Sequence, residues 1–198
     1  MSADWVFRLA VPDGWLSVDL DRLPVDRRGD LVLAVDHLVA EVPEMREDSA
    51  HLVDIAEGVI ADAEAHDALL AAVGFELVGG ALVALSVAAY AIPGDEAFDV
   101  DALAEDLTTP YPLDMNGRDV EVVDLPVGPA VRVHAISETA PDAEGRTMVI
   151  EGVDHFIPVP SGTDMLLLTG STPSVAIGDE LLPVFDDIAA SVRFGHED

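Results

Sequence analysis

The sequence predicts an α+β fold in which an antiparallel β-sheet is sandwiched by helices. Strand-type apolar runs fill residues 75–171, and apolar stripes of helical period bracket them at 48–72 and 179–194. No strand followed by a glycine-rich loop and a helix, the unit of dinucleotide and P-loop folds, breaks this order.

The opening reads as a hairpin. Trp5, Phe7, Leu9 and Val11 alternate with Val6, Arg8 and Ala10, Pro12-Asp13-Gly14 supplies a turn, and Leu16, Val18 and Leu20 alternate with Ser17 and Asp19. Residues 21–29 are polar and read as a connector. Asp30 is then placed to cap a helix carrying Leu31, Leu38 and Val42 until Pro43 stops it. The strongest helical signal runs over 48–72. Leu52, Ala56, Val59, Ala63 and Leu70 share one side at about 100° per residue, with Asp54, Glu57 and Glu64 opposite and Gly74 as the expected end. Residues 75–92 then read as two strands meeting at Gly79-Gly80.

Asp99 is an N-cap residue for a short helix whose Val100, Leu103, Ala104 and Leu107 face inward, and Thr109-Pro110-Tyr111-Pro112 ends it. Strands follow at 119–124 and 130–137, joined by Leu125-Pro126-Val127-Gly128-Pro129. An acidic loop over 138–146 leads to a strand at 147–159, and Ser161-Gly162-Thr163 turns into another at 164–171. The last helix is opened by Asp179 and carries Leu181, Phe185, Ile188 and Val192. Pro183 is tolerable only in or next to its first turn, where backbone donors lack helical partners.

The 198 residues fit one domain spanning 1–198. Half of them are hydrophobic, which excludes the disordered class that a net charge of −30 would otherwise suggest. That charge amounts to about one negative unit per 300 Å² of folded surface, a density that repels polyanions. Nucleic acid and anionic membrane are therefore excluded as partners. The chain has no cysteine, hence no disulfide, thiolate or cysteine–zinc chemistry. Every basic residue is arginine. The opening Met1-Ser2-Ala3-Asp4-Trp5 has neither a basic nor an apolar leader region, so the cytoplasm is the expected compartment. Residues 77–92 are uncharged over 16 positions, short of the roughly 20 that a spanning helix needs. With Gly79-Gly80 inside the run, a hairpin with a buried second strand is expected, and no membrane span.

Three sets of residues could carry chemistry. Asp62 and His66 are spaced i, i+4 on the long helix, so both could reach one metal ion, and a hydrogen-bonded histidine beside an apolar stripe explains the same pair. Arg132 and His134 project from one face of a strand, where Glu121 of the preceding strand could oppose them. Arginine, histidine and carboxylate together could stabilise an oxyanion and move a proton, and they could equally form a cross-strand charge pair under a helix. The adjacent acids Asp186-Asp187 and Glu47-Asp48 diverge around a helix and read as solvated. No Gly-x-Ser-x-Gly elbow is present, and Asp142-Ala143-Glu144-Gly145 lacks calcium-loop spacing. No catalytic residue, metal or cofactor is assigned on these grounds. Arg132, His134 and Glu121 stand as candidate binding residues.

The C-terminal half carries a family pattern. Leu125-Pro126-Val127-Gly128-Pro129-Ala130-Val131-Arg132, Phe156-Ile157-Pro158-Val159-Pro160, Leu166-Leu167-Leu168-Thr169 and the closing segment from Leu181 to Arg193 resemble actinobacterial proteins of the PsbP-like superfamily, and the Pro12-x-Gly14-Trp15 turn fits too. That superfamily includes the extrinsic protein of photosystem II, a Ran-binding nuclear import factor and bacterial lipoproteins of the DcrB and LpqN type. The resemblance implies an antiparallel sheet sandwiched by helices and a non-catalytic binding or accessory role, and it carries over no catalytic residues. The chain departs from the lipoprotein members in having no cysteine to acylate.

The sequence thus points to a soluble, non-catalytic protein whose partner is another protein with a basic patch. A narrower alternative is an acidic immunity or chaperone-like partner of a basic secreted effector. A third reading is a small hydrolase or metal-dependent enzyme centred on Arg132, His134 and Glu121.

Overall fold

The computed structural model describes residues 5–20, 27–94, 98–139, 145, 147–160 and 162–195, without the side chains of Arg27 and Asp179. Most of the connector over 21–29, most of the acidic loop, Ser161 and the capping role of Asp179 lie outside the described residues. Strands β1 (Val6–Arg8) and β2 (Leu16–Asp19) come first, then α1 (Arg27–Glu41), a 3-10 turn (Pro43–Asp48) and α2 (Ser49–Ala65). The chain continues through β3 (Leu70–Val78), β4 (Ala81–Ile92), α3 (Val100–Leu107), β5 (Asp114–Leu125), β6 (Gly128–Glu138), β7 (Val149–Pro158) and β8 (Met165–Thr172). It closes with α4 (Gly178–Ala190) and β9 (Arg193–Gly195).

Seven strands form one antiparallel sheet in the order β2-β3-β4-β8-β7-β6-β5, which is the α+β architecture that the sequence predicts. Two meanders, β2-β3-β4 and β5-β6-β7-β8, join where β4 pairs with β8, and α3 lies in the connection that carries the chain from β4 to the far edge. The β3–β4 turn falls at Gly79 and Gly80, whose φ values of 60° and 84° need glycine, so residues 77–92 are a strand hairpin as expected. No helix among the described residues is long and apolar enough to cross a membrane.

Each face of the sheet carries its own core. On one, Ala71, Val73 and Phe75 of β3 pack with Leu52, Ala56 and Ile60 of α2 and Leu31, Val35 and Leu38 of α1. On the other, Val83, Leu85 and Val87 of β4 and Leu166 and Leu168 of β8 pack with Leu181, Phe185 and Ile188 of α4. Gly170 of β8 gives α4 its seat: a Cβ there would stand 2.4 Å from Phe185 Cδ1. Asp99 caps α3 as expected, its Oδ1 accepting from the amides of Asp101 and Ala102 at 3.0 and 3.2 Å. The helix packs on β5 and β6 with Val100, Leu103, Ala104 and Leu107 half-buried.

Three sequence expectations are corrected. The two opening strands do not form a hairpin: β1 pairs with β9 and β2 with β3. The inward side chains of the first arm are as predicted, since Trp5, Phe7, Leu9 and Val11 pack onto the α4 core, but their partner strand lies at the other end of the chain. Second, α2 stops at Ala65, not Ala72. Asp67 takes φ 58°, Ala68 N–H reaches Ala63 C=O at 2.9 Å and Asp67 N–H reaches Glu64 C=O at 3.1 Å, a Schellman end that normally uses glycine. Leu70 belongs to β3, and Gly74 lies inside that strand beneath the Trp15 ring, where a Cβ would come within 2.2 Å of Cε2. Third, two helix bounds shift: residues 27–29 are already helical, so α1 begins before Asp30, and α4 ends at Ala190, with residues 193–195 forming β9 instead of continuing the helix.

Candidate functional site

Antiparallel register decides which side chains meet. Glu121 of β5 pairs directly with Arg132 of β6, and Arg132 pairs with His155 of β7, so all three project toward α4. From α4, one residue past Phe185, Asp186 reaches down to meet them. Arg132 donates Nε to Asp186 Oδ1 at 2.7 Å, Nη2 to Oδ2 at 3.3 Å and Nη1 to Glu121 Oε1 at 3.1 Å. His155 Nε2 lies 3.1 Å from the same Asp186 Oδ1, and its side chain is only 2% exposed. The forked contact of a planar guanidinium with a carboxylate is the strong form of such a pair.

Burial alone would push the Asp186 carboxyl up, but the hydrogen bonds from His155 and Arg132, with their charges, hold it below its ordinary value. Burial would likewise lower the Arg132 guanidinium, and Asp186, Glu121 and Asp119 outweigh it and raise it above the ordinary value. The four groups form a charge clamp that fixes α4 on the sheet.

His134, two residues beyond Arg132, joins a second pair. Its Nε2 lies 2.8 Å from Glu151 Oε1, and the Glu151 side chain is 3% exposed. That carboxylate abuts the first residue of α4: a Cβ at Gly178 would fall 1.5 Å from Glu151 Oε2. Ile177, at the N-cap position, offers no side-chain acceptor. Glu151 thus supplies the negative charge that the positive end of a helix favours, and His134 satisfies its other oxygen.

The structure therefore places Arg132, His134 and Glu121 on one face, as the strand parity indicates, and adds His155 and Glu151, which the sequence reading did not single out, and Asp186, which it reads as solvated. Asp186 is engaged, not solvated; Asp187 beside it is exposed, as expected.

The opposite face holds a cavity of about 640 Å³ between α2 and the middle of the sheet. Its floor includes Ser86, Ala88 and Tyr90 of β4 and Thr169 and Ser171 of β8, while Ile55, Val59 and Asp62 of α2 line its side. The two serine hydroxyls lie 2.9 Å apart. Thr169 Oγ1 donates to Asp154 Oδ1. Burial pushes the Asp154 carboxyl up, ahead of the opposing pull of Thr169, Arg118 and His155. Tyr90 is raised by burial and by the charges of Asp62 and Asp154.

Asp62 and His66 both line this cavity. His66 Nδ1 lies 2.8 Å from the Asp62 carbonyl oxygen and 3.7 Å from Oδ1. Among the described residues no group of three or more histidine, aspartate or glutamate side chains is arranged to hold a metal ion. No protein-family model matches the chain, and no curated protein matches it.

Proposed function

We propose that the protein is a non-catalytic binding protein whose partner is a protein with a basic patch. The observation that carries this reading is the uneven use of its charges. The arginine and histidine side chains that would serve catalysis are engaged in the clamp and in the His134–Glu151 pair, whereas carboxylates face outward along the helical side. Asp36 and Glu41 of α1, Glu44, Glu47 and Asp48 of the 3-10 turn, and Asp54 and Asp62 of α2 are exposed there. Against them, among the described side chains, stand exposed Arg46 and an Arg28 that already pairs with Asp54 at 3.0 Å and with Glu57. With a net charge of −30, such a surface steers a basic partner toward it from a distance. The cytoplasm is the compartment this reading assumes.

Capture from the native cell at low and high salt identifies the partner, and association kinetics test the mechanism. The partner should carry a basic patch, its association rate should fall as salt rises, and Glu44→Arg with Glu47→Arg should slow association about tenfold. A partner whose binding ignores both salt and charge reversal contradicts the reading. So does turnover of a small substrate that Arg132→Ala or His134→Ala abolishes, which would restore the enzyme alternative. The narrower reading, an immunity or chaperone-like partner of a basic secreted effector, requires in addition that the complex silence the partner's activity.

A further inference from the structure

The cavity under α2 has no part in the charge clamp and lies on the opposite face of the sheet. Its volume of about 640 Å³ falls within the range of sites that enclose small organic molecules. Its lining is mixed in the way such sites are: Ile55, Val59 and Ile150 give it apolar walls, and Tyr90, Ser86 and Asp62 bring polar groups to it. Among the described residues no lysine or arginine lines it, and Arg28, which pairs with the lining Asp54, is also taken up by Glu57. Asp62 is 77% exposed, with His66 Nδ1 at 3.7 Å from its Oδ1, so its carboxylate stands open to a cation entering from solvent. Asp54 is a second acidic lining residue, and Asp154, beside Thr169 on the same face of the sheet, holds a buried carboxyl next to the floor.

An anion entering this space would meet the carboxylates of Asp54 and Asp62 and, among the described residues, no arginine or lysine side chain in the lining. A neutral apolar molecule would gain nothing from Asp62, which water already solvates. A protonated nitrogen on an apolar body satisfies both requirements, and the Tyr90 ring adds an aromatic surface of the kind that cations favour.

We propose that this cavity binds an organic cation, an apolar body bearing a protonated nitrogen, held by Asp62 and Tyr90. Two sources present that chemistry: a free amine, and the lysine side chain of a protein. The proposal does not depend on the acidic helical surface being a docking site.

Amide and tyrosine-ring NMR shifts of the full chain, titrated in low-salt buffer, test it. The probes are 2-phenylethylammonium, the neutral 3-phenylpropan-1-ol, the anion 3-phenylpropionate and the capped tripeptide acetyl-Gly-Lys-Gly-amide. The amine or the lysine peptide should bind saturably at about 1 mM or tighter, with shifts centred on Ser86, Tyr90 and Thr169. The stronger of the two identifies the source. The alcohol should bind more weakly, and the anion should not bind. Asp62→Asn, at an exposed position, should weaken the cation about fivefold, the upper end for one exposed charge pair, and leave the alcohol unchanged. Val59→Trp should abolish binding of both by filling the space. Alcohol binding as tight as that of the amine, an Asp62→Asn variant with undiminished amine affinity, shifts spread over the acidic residues of α1 and α3 instead, or no saturation with either cation would each overturn the proposal.

Discussion

Gly170→Ala isolates how α4 is held on the sheet. Alanine ordinarily improves a strand position over glycine by about 0.5–1 kcal/mol, because glycine loses more backbone freedom on folding. Here the added Cβ would stand 2.4 Å from Cδ1, 2.5 Å from Cγ and 3.0 Å from Cε1 of Phe185. Carbon atoms in contact sit at about 3.5–4.0 Å, so the ring or the helix must give way by more than about 1 Å. Phe185 is 2% exposed and packed on every side, and overpacking of that kind costs about 1–3 kcal/mol. The net expectation is a loss of about 1–2 kcal/mol, or about 3–6 °C in melting temperature for a chain of this size. Phe185→Leu should be destabilising alone, yet the double variant should recover at least 1 kcal/mol relative to the sum, since the new methyl occupies part of the vacated volume. Urea unfolding of the four proteins gives the cycle directly. A neutral or stabilising Gly170→Ala, or strict additivity of the two changes, would refute the packing argument.

Gly178→Ala should also destabilise, because its methyl would displace Glu151 from the start of α4, whereas Gly58→Ala, with nothing within 4 Å of the new Cβ, should stabilise by about 0.5–1 kcal/mol; thermal unfolding separates the two signs. Asp186 has a lowered pKa, so its contribution is present above the unfolded value near 3.8 and fades as pH falls through the folded one. Asp186→Asn should therefore be less stable at neutral pH, with the deficit closing in acid. Asp154 is raised, so its ionised form opposes folding above its folded pKa. Asp154→Asn, which can still accept from Thr169, should be more stable at neutral pH and lose that advantage below about pH 3.8; denaturation midpoints across pH measure both. Melting temperature should rise from physiological to molar NaCl, as the Debye length drops from about 8 to 3 Å and the acidic surface repels itself less; a flat or falling series would show that the charges are already compensated.

How much of this was legible in the sequence follows from the range over which each signal acts. Alternation is local, so seven of the nine strands lie largely where the residues place them. Pairing is not local: nothing near Phe7 specifies that its partner is Phe194. The end of α2 was obscured by two coincidences. Leu70 falls in phase with the helical stripe although it lies in β3, and the left-handed residue at the Schellman turn is Asp67, not a glycine. Gly74, the apparent terminator, is small for another reason, the Trp15 ring stacked on it. At the charge clamp, Arg132 and His134 were legible because residues two apart on a strand share a face. Asp186 looked like one of a generic acidic pair. His155 and Asp154 were missed because their meaning depends on the β6–β7 register, which assigns each to a different face.

That register shows what the buried charges contribute. A slip of β7 by one residue would bring Asp154 and Gly152 under α4 and move Glu151 and His155 toward the cavity, an exchange that the apolar pattern already forbids because Val153 and Ile157 would leave their core. A slip by two preserves the faces, and an alternating apolar pattern discriminates weakly against it. The specific pairs do discriminate: it would part His155 from Asp186 and His134 from Glu151, and it would take Glu151 away from the start of α4. Each separation leaves a buried charged or polar group without its partner, at a cost of about 1–3 kcal/mol or more. Apolar alternation therefore selects the face of β7, and the charge pairs with α4 select its position along the strand.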